Sequence, residues 1–366
     1  MTYRYHSIGK YQVCVDQSIS GAIKTILLGY ERYRLRSIGV TRPAARKAIQ
    51  IVARDKLGLL SSTRQVVLPV FGQIAMQVHG GYKIFDFNRL EVSKSFSRET
   101  TSQEASREIA AGTQVSGIAA APRFLAADPE LRWYKEEYIC GVHAADPVYR
   151  SGKSVADFYP DVEDCLADLA SCESALSMAT LSHIDRLADL SFRASWLESG
   201  VESADIDAIE AYAQQLRDWL AAHSQQDQIQ LVLTHGDFSL VNAIATETGL
   251  RFIDWEGIAR GGLFSDVFNF LFVERYYGRA DANFLKHLSF YIDSYREHVV
   301  SRHPGLKEAA NLDRTFARRL YYLERLNLLL QRKASENLHS VVHKSIEMFL
   351  AADHEIGDVS SQDTSS

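Results

Sequence analysis

The fold is decided by the stretch Leu231-Val-Leu-Thr-His235-Gly-Asp237-Phe-Ser-Leu-Val-Asn242, which is followed by Leu250-Arg-Phe-Ile-Asp254-Trp-Glu256. The aliphatic residues before His235 are typical of a buried strand that ends at the motif. The residues between Asn242 and Asp254 contain two short apolar runs joined by the turn Thr246-Glu-Thr-Gly249. This pattern predicts a hairpin, and its two ends would bring Asn242 and Asp254 near Asp237.

Two carboxylates and one amide placed in this way are what a phosphoryl-transfer site requires. Asp237 would position an acceptor hydroxyl and take its proton late in the transfer. Asn242 and Asp254 would supply a neutral and an anionic oxygen ligand for Mg²⁺. His235, before the tight turn at Gly236, is expected to bond the loop backbone, and a catalytic role for it is left open. The competing interpretation is a surface hairpin with solvated acids.

The spacing H-G-D-x-x-x-x-N followed by I-D-W-E resembles the protein-kinase-like phosphotransferases of the aminoglycoside phosphotransferase and choline kinase group. The resemblance implies an α+β, bilobal protein-kinase-like fold. It would have a small antiparallel-sheet N-lobe plus a mostly helical C-lobe, here with an extra helical N-terminal segment. The resemblance also implies that Asp266 braces the catalytic loop, although the helix dipole alone favours an acid early in a helix. Glu256, the last acid of the motif, either assists metal binding or is solvated.

Residues 61–145 are expected to form the N-lobe. Three β-rich runs separated by turn residues predict a three-strand meander at 73–78, 82–87 and 90–96. A helix is expected over 102–114, and a strand at 133–141 resembles the segment that connects the two lobes in this group, with the hinge near 137–141.

Within this lobe, the resemblance implies that Lys94 is the strand lysine that contacts the α- and β-phosphates of a nucleotide. Glu108 on the following helix is then its expected partner, with Glu104 as the alternative. Lys83 is the alternative to Lys94, because it also alternates onto one face of a strand. A solvent-facing strand lysine is the competing interpretation of Lys94.

Two backbone features are expected to contact the nucleotide. The turn His79-Gly80-Gly81 could cover the phosphates, because glycine lets N–H groups approach them closely, although no G-x-G-x-x-G is present. Two glycines are also what any tight hairpin favours. The connecting strand matches the E-x-x-x-G pattern of the group, which implies that backbone groups from Glu137 to Ile139 bond the adenine edge.

The C-lobe is expected over residues 146–356, with the catalytic loop at 235–256. Apolar spacing predicts helices at about 160–178, 205–222, 265–277, 281–299, 312–332 and 336–352. The last segment, 357–366, is rich in Ser, Asp and Gln and is predicted to be a disordered tail.

Residues 1–60 are interpreted as a basic, mainly helical extension with helices at 18–35 and 43–57. They hold eleven Lys or Arg and three Asp or Glu, against a net charge of −6 for the whole chain. The densest cluster is Arg32, Arg34, Arg36, Arg42, Arg46 and Lys47. It could contact an anionic membrane surface, an acidic glycan, or the acidic remainder of this protein or of a partner. Nothing in it supports nucleic-acid binding.

The composition is that of a soluble globular protein, with 46% hydrophobic and 23% charged residues. No apolar run reaches the ~20 residues of a membrane span, and residues 1–20 lack a secretory signal, so a cytoplasmic location is expected. Cys14, Cys140, Cys165 and Cys172 show neither a C-x-x-C pair nor zinc spacing and are expected to be reduced thiols.

The leading hypothesis is a kinase that transfers the γ-phosphate of ATP, with Mg²⁺, to a hydroxyl of a small molecule or glycan. GTP, the oligomeric state and the acceptor (sugar, aminoglycoside or amino alcohol) are left open. The residues weighed for acceptor binding have mixed character: Glu274, Tyr276, Tyr277, Glu324, Arg275, Arg318, Arg319 and Arg325.

The alternative is a catalytically silent pseudokinase that binds a partner through the basic N-terminal segment. A metal-dependent hydrolase would require clustered histidines, and only His235 lies near the acid pair in sequence. A protein kinase is disfavoured, because the interval between Asp254 and Asp266 leaves no room for an activation segment.

Overall fold

The computed structural model describes residues 2–8, 11–24, 41–60, 65–189, 193–279, 287–331 and 336–362. The chain divides into two compact units: unit 1 is Met1–Ser151 with Val241–Glu256, and unit 2 is Gly152–Leu240 with Gly257–Ser366. The residues of the motif are divided between the two units: Asp237 belongs to unit 2, whereas Asn242 and Asp254 belong to unit 1.

The strands in the described residues are β1 Tyr3–Ile8, β2 Tyr11–Cys14, β3 Gln65–Leu68, β4 Ile74–Val78, β5 Gly81–Asp86, β6 Glu91–Phe96, β7 Phe124–Asp128, β8 Trp133–Glu137, β9 Val142–His143, β10 Leu176–Ala179, β11 Gln228–Thr234, β12 Ala243–Thr246, β13 Gly249–Phe252 and β14 Ala259–Gly261. The helices are α1 Arg42–Lys56, α2 Ser102–Val115, α3 Pro147–Arg150, α4 Tyr159–Ser171, α5 Thr180–Ala188, α6 Arg193–Glu198, α7 Ser203–Ala222, α8 Ser265–Tyr276, α9 Leu288–Arg302, α10 Lys307–Ala310, α11 Arg314–Leu330 and α12 Glu336–Gln362. The α+β class is confirmed.

Unit 1 is built on an antiparallel sheet of eight strands in the order β3-β1-β2-β4-β5-β6-β8-β7. The predicted meander is confirmed as β4, β5 and β6, and the predicted helix after it as α2. The register sets Lys83 of β5 directly opposite Lys94 of β6, and Lys94 opposite Tyr134 of β8. Side chains opposite one another project from the same face, so this register fixes which residues meet.

The N-terminal segment differs from its prediction as mainly helical. Strands β1 and β2 join the sheet beside β4, where they satisfy backbone groups that an edge strand would expose. The predicted second helix is confirmed as α1, which starts at N-cap Thr41 and carries Pro43 in its first turn. Residues 19–24 are helical as predicted, whereas 25–40, including Arg32, Arg34 and Arg36, lie outside the described residues.

The predicted hairpin is confirmed as β12 and β13, which pair from Ala243 opposite Phe252 to Thr246 opposite Gly249. It belongs to unit 1, where β9 pairs with β12. The Phe252 N–H also bonds the Ala120 carbonyl at 2.7 Å. The hairpin is therefore tied to the same unit as the sheet lysines.

Unit 2 is mostly helical, with the small sheet β10-β11-β14 at its core. The predicted strand before the motif is β11, whose inner residues are buried. Two helix predictions need correction: α4 ends at Ser171, because the following residues form β10 against β11, and α12 runs on to Gln362. Once a helix is nucleated, each added residue gains a backbone bond, so residues 357–362, which were predicted to be disordered, are helical.

Candidate active site

Two lysines of unit 1 lie opposite one another and contact different acids. The Lys94 ammonium donates to Glu108 at 2.7–2.8 Å and to Glu256 at 2.9 Å. The Lys83 ammonium donates to Asp254 at 2.9 Å. Like charges directly opposite on a sheet repel, and the three carboxylates compensate that repulsion.

The predicted pair of Lys94 with Glu108 is present. Lys94 is buried, with 3% of its surface exposed, and Tyr134 donates a second bond to Glu108 at 2.9 Å. Burial lowers the pKa of Lys94, but the Glu108 and Glu256 carboxylates outweigh burial and raise it overall. The ammonium is thus held charged in one position. The alternative partner, Glu104, instead caps α2 through the Thr101 N–H and hydroxyl.

The structure places Lys83 and Lys94 side by side on one sheet face, and which of them contacts the phosphates stays a prediction. What the sequence did not reveal is the pairing of Lys83 with Asp254 and of Glu256 with Lys94. Each contact joins residues more than 160 positions apart, which local patterns do not report. The available signal for their proximity was the alternation of side chains along β5 and β6, which places both lysines on one face of the sheet.

Asn242 and Asp254 lie at the open end of the hairpin, where the Ile253 N–H bonds the Asn242 carbonyl at 2.8 Å. Asp254 has a φ of 69°, a left-handed conformation that is uncommon outside glycine. Its carboxylate is 40% exposed and already accepts from an ammonium group. An amide and a carboxylate oxygen are the hard donors that Mg²⁺ prefers, so these residues fit a magnesium ion.

Glu136 is an acid of the same sheet face that the sequence did not single out. It lies opposite Val92 in the register, two pairs along from Lys94 and Tyr134. Burial raises the pKa of Glu136 to about 7, in opposition to the lysine charges nearby and together with the charge of Asp254. This carboxyl group therefore changes its charge near neutral pH.

The predicted phosphate-covering turn is the tight connection between β4 and β5. Gly80 has a φ of 73° and Gly81 a φ of 155°. A Cβ at Gly81 would lie 2.1 Å from the Ser95 carbonyl oxygen, so only glycine fits. The Gly80 carbonyl accepts from the Ser97 N–H and the Thr100 hydroxyl, both at 2.8 Å. The turn is fixed, and its contact with phosphate stays a prediction.

The predicted hinge follows β8. The Glu137 N–H bonds Arg123 at 2.9 Å and the Tyr138 N–H bonds Leu90 at 2.8 Å. The Glu137 carboxylate accepts from Arg251 of β13 at 3.1 and 3.2 Å, which lowers its pKa. Both of these N–H groups bond other backbone within unit 1, and recognition of the adenine edge by the remaining backbone groups from Glu137 to Ile139 stays a prediction.

In unit 2, Asp266 holds the backbone of the motif. Its carboxylate accepts from the His235 N–H at 2.5 Å and from the Gly236 N–H at 3.0 Å. Asp266 is buried, and burial raises its pKa although His235 and the two N–H groups oppose the rise. Gly236 has a φ of 78°, and a Cβ there would lie 2.7 Å from the Gly257 oxygen. The bracing contact that the resemblance implied is present.

His235 is fully buried, and its ring packs edge-on against Phe238 with 5.5 Å between the ring centroids. Its Nδ1 lies 3.4 Å from the Asp237 amide nitrogen, which suits the structural role expected of it. The Asp237 side chain is 42% exposed. This arrangement keeps the histidine inside the loop and leaves the aspartate accessible.

Arg325 of α11 is a residue whose position the sequence did not reveal. Its guanidinium donates to the Gly236 carbonyl at 3.0 Å and to the Asp237 carboxylate at 3.4 Å. Its own side chain is 12% exposed. One group thus holds both the loop backbone and the orientation of the predicted catalytic carboxylate.

The two acids weighed for acceptor binding support backbone instead. Glu274 of α8, which is fully buried, accepts from the Leu240 N–H at 3.0 Å. Glu324 of α11 accepts from the Gly262 N–H at 2.8 Å. Neither carboxylate is directed outward to meet a cationic acceptor, and Glu274 serves as a further support of the motif loop.

The arginines and tyrosines weighed with them separate into two groups. Arg318 and Arg319 pair with Asp353 of α12 at 2.9 and 3.1 Å. Tyr276 and Tyr277, at the end of α8, are 39% and 58% exposed. The tyrosines are therefore accessible for contact with a ligand, whereas the two arginines stabilise helix packing.

A family comparison assigns the chain to an enzyme class. The APH model, which describes a phosphotransferase enzyme family, matches residues 89–298, more than half of the chain. The chain belongs to this family. It is therefore an enzyme of the phosphotransferase class, a kinase, as the sequence predicts. No curated protein sequence gives a significant match.

Solved structures agree on the fold of this family member. A choline kinase from Cryptosporidium parvum matches with a TM-score of 0.53 at 14% identity, covering 78% of this chain and 90% of that one. The choline kinase LicA from Streptococcus pneumoniae matches with a TM-score of 0.50 at 12% identity, covering 83% and 99%. The predicted kinase-like fold is confirmed. Among the described residues of this phosphotransferase, no helix has the length and apolarity to span a membrane.

Proposed function

We propose that this phosphotransferase is an ATP-dependent kinase that phosphorylates a hydroxyl group of a small molecule or glycan. The observation that carries the proposal is the buried ion pair of Lys94 and Glu108, in the same unit as the oxygen donors Asn242 and Asp254. A pseudokinase scaffold has no need of a charged lysine held beside a complete set of metal ligands.

In the proposed reaction, Lys94 contacts the α- and β-phosphates and Glu108 keeps its ammonium in place. Asn242 and Asp254 would hold Mg²⁺, which when bound supplies charge neutralisation at the β- and γ-phosphates. Lys83 compensates the charge of Asp254, and Mg²⁺ held by Asp254 would take over that compensation. The turn at Gly80 and Gly81 offers backbone N–H groups to the phosphates.

Asp237 positions the acceptor hydroxyl and accepts its proton late in the transfer. The transition state is loose, so orientation contributes more than strong basicity. Arg325, Asp266 and Glu274 support this role by holding the loop, and His235 fills its interior. None of these four residues has to exchange protons with the substrate.

The acceptor pocket is proposed to include the accessible tyrosines at the end of α8. The Glu274 bond to the Leu240 N–H joins this helix to the motif loop. The Arg279 guanidinium lies 4.5 Å from the Tyr277 ring centroid, and the Lys344 ammonium lies 5.9 Å from that of Tyr276. Each ring already contacts a cationic side chain and therefore does not favour a cationic acceptor over a neutral one, so amino alcohols, amino sugars, aminoglycosides and neutral sugars should be tested side by side.

The test incubates the protein with ATP, Mg²⁺ and each of those acceptors in turn. It measures the ATP consumed and detects the phosphorylated product by mass spectrometry. Asp237→Asn serves as the inactive variant, and Asp227→Asn, an exposed aspartate of the same unit, as the matched control. We expect one acceptor class to be phosphorylated by the wild type and the control only. Nucleotide binding without turnover on any acceptor, or equal turnover by Asp237→Asn, would contradict the proposal; the former would favour the scaffold.

A further inference from the structure

A cluster of metal-ligating side chains lies in unit 2, apart from every residue that the proposed reaction uses. It consists of Asp205 in the first turn of α7 and of His339 and His343 on α12. Their ligand atoms all lie within 4.8 Å of one another. We call these three residues the helix-bridging triad.

The spacing of the two histidines explains their convergence. Residues four apart on a helix lie one above the other on the same face. The two Nε2 atoms are 2.9 Å apart, and the His339 Nε2 is 3.3 Å from one Asp205 oxygen while the His343 Nε2 is 4.0 Å from the other. The ring of His339 also packs edge-on against Trp196, at 6.1 Å between centroids. Trp196 is fully buried, so this contact restrains the ring.

These distances fit a shared cation. Metal–nitrogen bonds of ~2.0–2.1 Å place two ligands of one ion roughly 3 Å apart, which is close to the observed separations. Two neutral imidazole nitrogens this close share a single proton as donor and acceptor. A metal ion can replace that proton, because imidazole binds metals through the same nitrogen lone pair.

The donor set indicates the kind of ion. Two imidazoles and one carboxylate suit zinc and the neighbouring transition metals, whereas Mg²⁺ prefers oxygen donors. Three protein ligands leave coordination positions for water. The triad therefore differs in chemistry from the Asn242 and Asp254 pair, and the two sites select different ions.

We propose that the helix-bridging triad binds a divalent transition metal of the Zn²⁺ type and thereby fastens α12 to α7. The fastened helix packs on α11, where its Phe349 ring stacks on Tyr322 at 4.1 Å and its Asp353 pairs with Arg318. Because α11 also carries Arg325, which bonds the backbone of the motif loop, the ion stabilises the helix that holds this loop. The reaction itself proceeds without this ion.

The test is Zn²⁺ titration of the untagged, full-length protein by calorimetry, together with thermal unfolding and the visible absorption of bound Co²⁺. Exposed thiols would compete for zinc, so the titrations use a Cys140→Ser, Cys172→Ser background, in which the two exposed cysteines are replaced. The variants are His343→Ala and Asp205→Asn, and the matched control is His354→Ala on the same helix.

We expect one Zn²⁺ per chain, a rise in the melting temperature, and a Co²⁺ spectrum of nitrogen and oxygen ligation. Each triad variant should weaken Zn²⁺ binding by at least ~10-fold, since even outer-sphere losses cost a metal site 10–100-fold, and His354→Ala should bind like the parent. Equal Zn²⁺ affinity in parent and triad variants, or no bound ion at all, would overturn the proposal. Because phosphotransfer is measured separately, either outcome leaves the proposed kinase activity to its own test.

Discussion

In unit 1 the predicted functional side chains are paired with one another, whereas in unit 2 supporting side chains bond the backbone around a single accessible carboxylate. Lys83 and Lys94 together contact three carboxylates, those of Asp254, Glu108 and Glu256. In unit 2, Asp266 and Arg325 hold the loop, and Asp237 stays 42% exposed.

The difference agrees with the proposed function, in which unit 1 binds the nucleotide and unit 2 positions the acceptor. A polyphosphate brings negative charge, and buried lysines without partners would be costly before it arrives. An acceptor hydroxyl is neutral and needs a fixed aspartate, so rigidity of the backbone matters more there. The comparison makes separable predictions: changes in unit 1 should affect nucleotide binding and stability, and changes in unit 2 should affect turnover.

The largest effect is expected for Asp237→Asn. Removing a positioned proton acceptor should lower kcat by about 10²–10⁴-fold, while the affinity for nucleotide should stay that of the wild type. Steady-state kinetics and nucleotide titration measure the two quantities on the same sample. If Asp237→Asn lost nucleotide affinity and kept its kcat, the assignment of nucleotide binding to unit 1 and of turnover to unit 2 would be wrong.

The second prediction compares the two lysines. Lys94→Met leaves Glu108 buried without its partner, which should lower the free energy of unfolding by about 3 kcal/mol. For Lys83→Met we expect less than ~1 kcal/mol, because Asp254 is 40% exposed and water solvates it. Urea denaturation of both variants decides the order. Equal losses would mean that the two pairs are equally buried in solution.

Stability should also depend on pH through Glu136. Burial raises the pKa of Glu136 to about 7, so the folded protein binds this proton more tightly than the unfolded chain does. Its contribution therefore favours folding at low pH and is lost as the pH rises from about 4.5 to 7, a difference of about 3 kcal/mol. Glu136→Gln should flatten the pH dependence of the free energy of unfolding over that range. An unchanged slope would exclude Glu136 as its source.

The smallest effect is expected from the cap of α2. Thr101 accepts the Glu104 N–H, and Thr101→Ala should cost about 1 kcal/mol. Lys94 and Glu108 lie further along and keep their contact, so nucleotide affinity should not change. A large loss of affinity in this variant would show that the helix start, and not only the ion pair, shapes the nucleotide site.

Much of this arrangement was predictable because it is local. The meander, helix α2 and the hairpin after the motif follow from periodicity and turn residues, and the pair Lys94–Glu108 follows from the family resemblance. The choice between Glu104 and Glu108 was also available, since Thr101-Ser-Gln-Glu104 has the pattern of a capping box. The strands β1 and β2 were missed because these short runs take their partners, β3 and β4, from a distant part of the chain.

What escaped prediction depends on contacts between distant parts of the chain. The acids that meet Lys83 and Lys94 come from the hairpin, and Arg325 reaches Asp237 from a helix 88 residues later. Periodicity assigns a residue to a face of its own element but does not specify the element opposite. Such pairings therefore became visible only with the fold.

The most direct test of the account is the Mg²⁺ dependence of ATP binding, measured by calorimetry in the wild type, Asp254→Asn and Asp237→Asn. The account predicts that Mg²⁺ strengthens ATP binding to the wild type and to Asp237→Asn, and that Asp254→Asn loses this dependence. Identical Mg²⁺ dependence in Asp254→Asn, or no binding of ATP by the wild type, would contradict it.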